Sequence, residues 1–351
     1  MTEMLNPGVE IPAIHGAYET MAAERGLTYN GEFVNDGPPT WVGILRDSEG
    51  QPAMATHLHL TANPEETLAE ERRRVTLLNK LYDNGAPVHH YLEEPHTQPK
   101  RGGSSKLGLV ATHSEYLESG KDVGPEEYGN AAALHHNASL HVDLSEAPVI
   151  DQLAAARGAV EVAKGLRRPL QTDEAILTTG LVDFMEERLE VMTAVQASMN
   201  QLARSKGRRH VSVQEDLHGG NVMRKGTRAI LIDCDGYTGV PEVDLGRVDT
   251  DWRNRFADAM DLAPGYVQGY ESQIAPELAP DEEIRDLAAM VSNTRFSMAM
   301  ITLALRDVEL GMPPKPWLIN EGVHRLKVID QHNVLWNPWN SAQKKKSALK
   351  D

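Results

Sequence analysis

Val211-Ser212-Val213-Gln214-Glu215-Asp216-Leu217-His218-Gly219-Gly220-Asn221-Val222-Met223 interrupts a long helical text, and Arg228-Ala229-Ile230-Leu231-Ile232-Asp233-Cys234-Asp235-Gly236 follows after Arg224-Lys225-Gly226-Thr227. Two brief apolar runs joined by a Gly-containing turn read as an antiparallel hairpin, Asn221-Val222-Met223 against Ala229 to Ile232. Opposed residues in such a ladder lie ~5 Å apart, so Asn221 and Asp233 are expected at one end of it, within reach of a shared cation. An amide oxygen plus a carboxylate is hard-oxygen ligation suited to Mg2+, which keeps waters and phosphate oxygens as its other ligands. Asp216, five residues before Asn221 on the same loop, is then available to accept a proton.

Outward from this segment, composition narrows the classes. The 351 residues carry 35 Lys plus Arg against 51 Asp plus Glu, a net charge of −16. That disfavours a nucleic-acid backbone binder, which needs a basic face. With 40% apolar and 25% charged residues the chain is ordinary globular protein, and at ~150 residues per domain it suggests about two domains. A single cysteine, Cys234, excludes an intramolecular disulfide framework and a thiolate zinc cluster, and with no signal peptide read in Met1 to Ala13 the expected compartment is the cytoplasm. No apolar run approaches the ~20 residues of a transmembrane helix, so no membrane role is expected.

Before the central segment the text is mixed. Trp41 to Leu45, a turn at Asp47-Ser48-Glu49-Gly50, and Met54 to Leu60 read as a β-hairpin. Pro64 to Tyr82 reads as a helix stopped by Asn84-Gly85, with Leu68, Val75, Leu78 and Leu81 on one stripe. A loop over His96 to Ser105, a strand Leu107 to Thr112 and a linker from Glu115 to Gly120 follow. Helices are then expected over Gly129–His141, Asp151–Lys164, Asp173–Arg204, Arg247–Gln273 and Glu282–Val308, ahead of a basic tail containing Lys344 to Lys346. The domain boundary is accordingly drawn at 1–115 and 116–351.

The string Asp216-Leu217-His218-Gly219-Gly220-Asn221, then Leu231-Ile232-Asp233, then Glu242-Val243-Asp244-Leu245-Gly246, resembles the aminoglycoside phosphotransferase and choline kinase group of the protein-kinase-like superfamily. Gly129 to His135 is similar to that group's Gly-x-x-Leu-Ala-x-Leu-His helix, and Tyr266 to Tyr270 to its helix of spaced tyrosines. The resemblance runs over residues 30 to 300 and is specific over 211 to 246. It implies an α+β bilobal kinase-like fold, a small β-rich N-lobe and a larger helical C-lobe, and transfer of the γ-phosphoryl group of ATP or GTP, with Mg2+, to a hydroxyl of a small molecule such as an aminoglycoside. Under it Asp216 is the catalytic base, Asn221 and Asp233 are metal ligands, and His218 and Asp244 are supporting residues; Asp235, two residues past Asp233 and on the same face if the strand continues, is a candidate ligand for a second metal. Phosphoryl transfer asks a protein mainly for positioning and charge neutralisation, which this set provides.

The chain departs from the pattern in its first lobe. Kinase-like proteins place a Lys on the third strand, paired with a helix Glu, yet Met54 to Leu60 holds neither Lys nor Arg. His57 or His59 occupies that region, Glu70 or Glu71 is the candidate partner, and Lys106 is another candidate cation. His57, His59, Glu71, Glu115 and Leu117 are the candidate nucleotide contacts. A protonated imidazole at 57 or 59 would bind phosphate better as pH falls through ~6.5. The His57/His59 spacing also suits a metal, but phosphate-facing or packing roles are preferred; His135, His136 and His141 are expected on a helix surface or in packing. Glu242, Asp249, Asp251, Asp258 and Asp261 lie close to the catalytic segment and favour a cationic or polyhydroxylated acceptor. Two alternatives stay open: a nucleotide-binding pseudokinase, and a protein-modifying enzyme transferring a phosphoryl or nucleotidyl group on the same fold. The sequence carries no signal for oligomeric state.

Overall fold

Alternation of apolar and polar residues builds the first half of the chain, as a computed structural model describing residues 7–35, 40–98, 107–119, 123–165, 180–214, 221–246, 259–309 and 315–328 makes visible. Strands β1 (Thr28–Asn35), β2 (Thr40–Arg46), β3 (Pro52–Thr61), β4 (His96–Gln98) and β5 (Gly108–Glu115) form one antiparallel sheet in the order β1-β2-β3-β5-β4. Every second residue of β2 is buried, as a half-covered strand requires. The β2–β3 turn closes as its composition predicts: the Asp47 carboxylate accepts from the amides of Glu49 and Gln51, and Gly50 takes φ +77°.

One sheet face, with Trp41, Leu45, Leu58, Leu60, Leu109 and Ala111, is covered by α1 (Pro7–Glu24) through Ile14, Ala17, Tyr18 and Met21. This helix is not among the expected elements, although Ile14, Ala17, Tyr18, Met21 and Ala22 recur at helical spacing. The Tyr18 hydroxyl donates to the carbonyls of Trp41 and Thr56 at 2.9 and 3.2 Å. Its ring fills the space beside Gly43, where a Cβ would stand 2.6 Å from the ring edge, so β2 needs glycine there. Helix α2 (Pro64–Asp83) starts and stops where its caps indicate, with acids Glu65 and Glu66 in the first turn and Gly85 at φ +88° beyond the end.

Two compact units result, residues 1–122 with 223–232, and residues 123–222 with 233–351. The segment 223–232 thus groups with the first unit. Backbone pairing is the reason. Strands β6 (Glu118–Ser119), β8 (Val222–Lys225) and β9 (Arg228–Leu231) form a three-stranded sheet, and Leu231 exchanges backbone hydrogen bonds with Pro87 and His89.

The second unit is mainly helical: α3 (Pro125–Ala138), α4 (Ala154–Gly165), α5 (Leu181–Ser205), α6 (Ala259–Gln273), α7 (Glu282–Glu309) and α8 (Pro316–Val328), with a short ladder of β7 (Val211–Val213) and β10 (Tyr237–Gly239). Helix α3 starts four residues before the expected Gly129, because the Glu127 carboxylate caps the Gly124 amide at 3.0 Å. One core joins α4, α5, α7 and α8 through Val160, Met185, Met192, Met298, Ile301 and Leu326. Val191, on the same helix α5, is exposed. The first parts of the expected helices 173–204 and 247–273, and the basic tail, lie outside the described residues.

Helices α3 and α6 cross at backbone contact. A Cβ on Gly269 would sit 2.1 Å from the Glu126 carbonyl oxygen, and one on Gly129 2.1 Å from that of Tyr266. Gly269→Ala is expected to destabilise the fold by about 1–3 kcal/mol or more, since backbone must move. Gly158→Ala, in an exposed stretch of α4 with nothing near its Cβ position, should instead raise the melting temperature, by about 0.5–1 kcal/mol of stability. Thermal unfolding of both variants checks this, and equal shifts would contradict the crossing geometry.

Candidate active site

The segment from Val211 to Met223 is described in two pieces. Gln214 is buried at the end of β7, whereas Glu215 to Gly220, with Asp216 and His218, lie outside the described residues. Description resumes at Asn221, which is buried and whose carbonyl accepts from the Gln214 side-chain amide at 3.3 Å. Strands β8 and β9 follow, joined by the two-residue turn Gly226-Thr227 with Gly226 at φ +59°. The predicted hairpin is present, and Asn221 and Asp233 flank it.

Asp233 has φ +58°, and among the described residues it is the one non-glycine with positive φ. Aspartate tolerates this region better than most residues, yet holding it there costs on the order of 1 kcal/mol, and such outliers concentrate at functional sites. The strand ends at Leu231, so Asp233 and Asp235 are not part of it. The turn instead leaves Asp233 and Asp235 exposed, with Cys234 buried between them.

Behind this segment sits a buried carboxylate. Asp244, 1% exposed, accepts through Oδ2 from the Gln214 amide at 2.9 Å and from His136 Nε2 at 3.0 Å. His136 Nδ1 meets the Tyr270 hydroxyl at 2.7 Å. All these contacts are satisfied when Nε2–H donates to Asp244 and the Tyr270 O–H donates to Nδ1. Ser139 adds a second tie, its hydroxyl accepting from the Ser212 amide at 2.9 Å. Through Asp244 and Ser139, these contacts fix the backbone of Ser212 and Gln214 at β7.

His135 and His136 are fully buried, so their place is in packing and not on a helix surface. The bridging residue is His136, which faces both Asp244 and α6. Glu242 also moves out of the acceptor-steering set. It is buried, paired with Arg208 at 2.6 Å, and accepts from the Asp281 amide, so it cannot attract a ligand from solution. Burial pushes its carboxyl up, opposed by the Asp281 amide and the Arg208 charge. Asp249, Asp251 and Asp258 lie outside the described residues.

In the first unit, His57 and His59 share the β3 face opposite α1. Burial first, then the charge of Arg74, pushes His57 down to about 3, so the protonated imidazole expected at this position is not formed near neutral pH. His59 Nε2 lies 3.9 Å from the Glu71 carboxylate on α2, and Arg74 donates to the same carboxylate from Nε and Nη2 at 3.2 and 2.6 Å. Arg74 is not among the residues that the sequence singles out, and the signal that points to it is its place one helical turn after Glu71. Lys106 lies outside the described residues. Glu115, a candidate nucleotide contact, uses its carboxylate on the His90 amide and on Lys225 of β8, and its own amide on the His90 carbonyl. These groups tie β5 to the hairpin, and Leu117 beside them is buried. Among the described residues no group of three or more His, Cys, Asp or Glu forms a metal cluster, so His57 and His59 gain no third ligand of these types there.

Buried neutral histidines make stability depend on pH. His135 is pushed down to about 4, by burial first and the neighbouring His136 second. The fold keeps it neutral while the unfolded chain takes up a proton below ~6.5, so stability is lost as pH falls from ~6.5 towards 4 and levels off beneath. His135 alone accounts for about 3 kcal/mol at 1.36 kcal/mol per unit. Denaturant midpoints from pH 7.5 to 4.5 should show the slope, and His135→Gln should flatten part of it; a pH-independent midpoint would contradict the buried neutral state.

No family model matches the chain, and no curated protein is similar to it in sequence. Solved structures are similar in fold. An amicoumacin kinase in complex with AMP-PNP, Ca2+ and Ami superposes with TM-score 0.59 at 12% identity, over 93% of this chain and 96% of that one. The GDP complex of an aminoglycoside 2'-phosphotransferase variant gives 0.54 at 12% identity, over 92% and 98%. Choline kinase LicA from Streptococcus pneumoniae gives 0.51 at 12% identity, over 91% and 99%. The chain has the protein-kinase-like α+β fold that these proteins share. Among the described residues no helix is long and apolar enough to cross a membrane.

Proposed function

We propose that the chain is a Mg2+-dependent phosphotransferase that moves the γ-phosphoryl group of ATP or GTP to a hydroxyl of a small molecule. The observation that carries this reading is Asp233, exposed and held in left-handed backbone at the exit of the hairpin that Asn221 enters. Asn221 and Asp233 offer an amide oxygen and a carboxylate, the hard donors that suit Mg2+, with Asp235 next on the same exposed turn. When bound there, the ion supplies neutralisation of phosphate charge. Asp216 is assigned as the base that takes the acceptor's proton, and His218 as a brace of its loop. Asp244 holds the Gln214 amide, two residues before Asp216 in the chain, at 2.9 Å.

The fold supports this reading over other kinds of chemistry, and the three similar structures are named for amicoumacin, aminoglycoside and choline. Aminoglycosides and choline are cationic molecules that carry hydroxyls, which makes amino-sugar and peptide-like antibiotics and amino alcohols the first candidates. The enzyme is assigned to the cytoplasm, where Cys234 stays a thiol. A library of such acceptors, with ATP and GTP in turn, tests the reading by acceptor-stimulated nucleotide consumption. Nucleotide binding without stimulation by any acceptor would favour a pseudokinase, which the absence of a lysine on β3 also allows.

A further inference from the structure

The strand-to-helix pair of the kinase-like fold survives here in altered form. On β3 the residue that faces α2 is His59, 3.9 Å from Glu71, and β3 contains no Lys or Arg. The permanent cation of this cluster is on the helix. Arg74, 14% exposed, holds Glu71 through Nε and Nη2, donates from Nη1 to the Tyr91 hydroxyl at 2.8 Å, and lies 5.3 Å from the centre of the Tyr91 ring. Tyr91 is itself rigidly placed, since Asn79 of α2 both donates to its carbonyl and accepts from its amide at 3.0 Å. A guanidinium stays charged at every accessible pH and presents a planar fork that suits phosphate oxygens. His57 and His89 do not compete for that role, because both are kept neutral, by burial first.

We propose that Arg74, oriented by Glu71 and Tyr91, supplies to the phosphates of the bound nucleotide the positive charge that a β3 lysine supplies in other proteins of this fold. The inference rests on the phosphotransferase reading and deepens it. It moves the cation from the strand to the helix while keeping Glu71 as the orienting carboxylate. A helix-borne guanidinium also explains why β3 carries imidazoles: a second cation at 59 would crowd Arg74.

The test compares nucleotides with nucleosides on the full chain. Binding of Mg-ATP, Mg-GTP, adenosine and guanosine is measured by calorimetry for wild type, Arg74→Met, Arg74→Lys and the double variant His59→Lys with Arg74→Met, with melting temperature followed in parallel. Arg74→Met should weaken the triphosphate about ten- to a hundredfold, the range of one charge-assisted hydrogen bond, and leave the matching nucleoside unchanged. Arg74→Lys should fall between, and the double variant should regain triphosphate affinity by restoring a strand lysine. If Arg74→Met proves unstable, the Lys variant and the rescue carry the comparison. Equal losses for nucleoside and triphosphate, or no loss, would show that Arg74 only staples α2 to Tyr91 and would overturn the proposal. A wild type that binds neither nucleotides nor nucleosides would instead remove the phosphotransferase reading, and this inference with it.

Discussion

Asp216→Asn is expected to lower kcat by about 10²–10⁴-fold while leaving Mg-nucleotide affinity near wild type, because a positioned base is lost and no nucleotide contact changes. Asp233→Asn should cost turnover on the same scale by a different route. The amide keeps the shape of the exposed turn but offers a neutral oxygen in place of a carboxylate, so Mg-nucleotide affinity should fall together with kcat. Asparagine also tolerates left-handed backbone, so φ +58° remains accessible and the loss is not one of folding. Steady-state kinetics with nucleotide binding measured separately distinguishes the two. Wild-type kcat in Asp216→Asn would remove the base assignment, and unchanged Mg-nucleotide affinity in Asp233→Asn would remove the metal assignment.

Asp244→Ala should give the largest stability loss in the second unit. Its carboxylate is 1% exposed and accepts from both the Gln214 amide and His136 Nε2. Truncation leaves two buried donors without an acceptor and frees the His136–Tyr270 pair from its anchor, at a cost of about 3–5 kcal/mol. Because Gln214 lies two residues before Asp216, the molecules that remain folded should also turn over more slowly. Asp244→Asn, which keeps the shape and one oxygen acceptor, should lose less stability. An unchanged denaturant midpoint in Asp244→Ala would show that the buried clasp contributes little.

The parts of the fold legible in the sequence are those where local chemistry and tertiary need coincide. The Asp47 turn, the caps of α2 and the 221–233 hairpin are fixed by residues within a few positions of one another, and each forms where its composition indicates. Helix α1 escapes a sequence reading because Pro7 and Pro12 mask a sound apolar stripe that acquires meaning only against the β2–β3 face. The site shows the same division. Asn221 and Asp233 stand out through their spacing, but the left-handed backbone of Asp233 does not, since a positive φ at a non-glycine residue leaves no mark in the sequence pattern. His136 and Arg74 are hidden for a common reason. Each acts through partners far along the chain, Asp244 and Tyr270 for one and Tyr91 for the other, and no window of sequence holds both ends of such a contact. Glu242 misleads in the opposite direction, because an acid that is exposed and one that is buried against Arg208 look alike in sequence.

The most direct test is mass spectrometry of the acceptor library after incubation with the wild-type chain, Mg2+ and ATP or GTP, with Asp216→Asn run alongside. The account predicts at least one acceptor that gains a single phosphoryl group with wild type and is unmodified with the variant. An acceptor that instead gains a nucleotidyl group, or one phosphorylated equally well by Asp216→Asn, would contradict it.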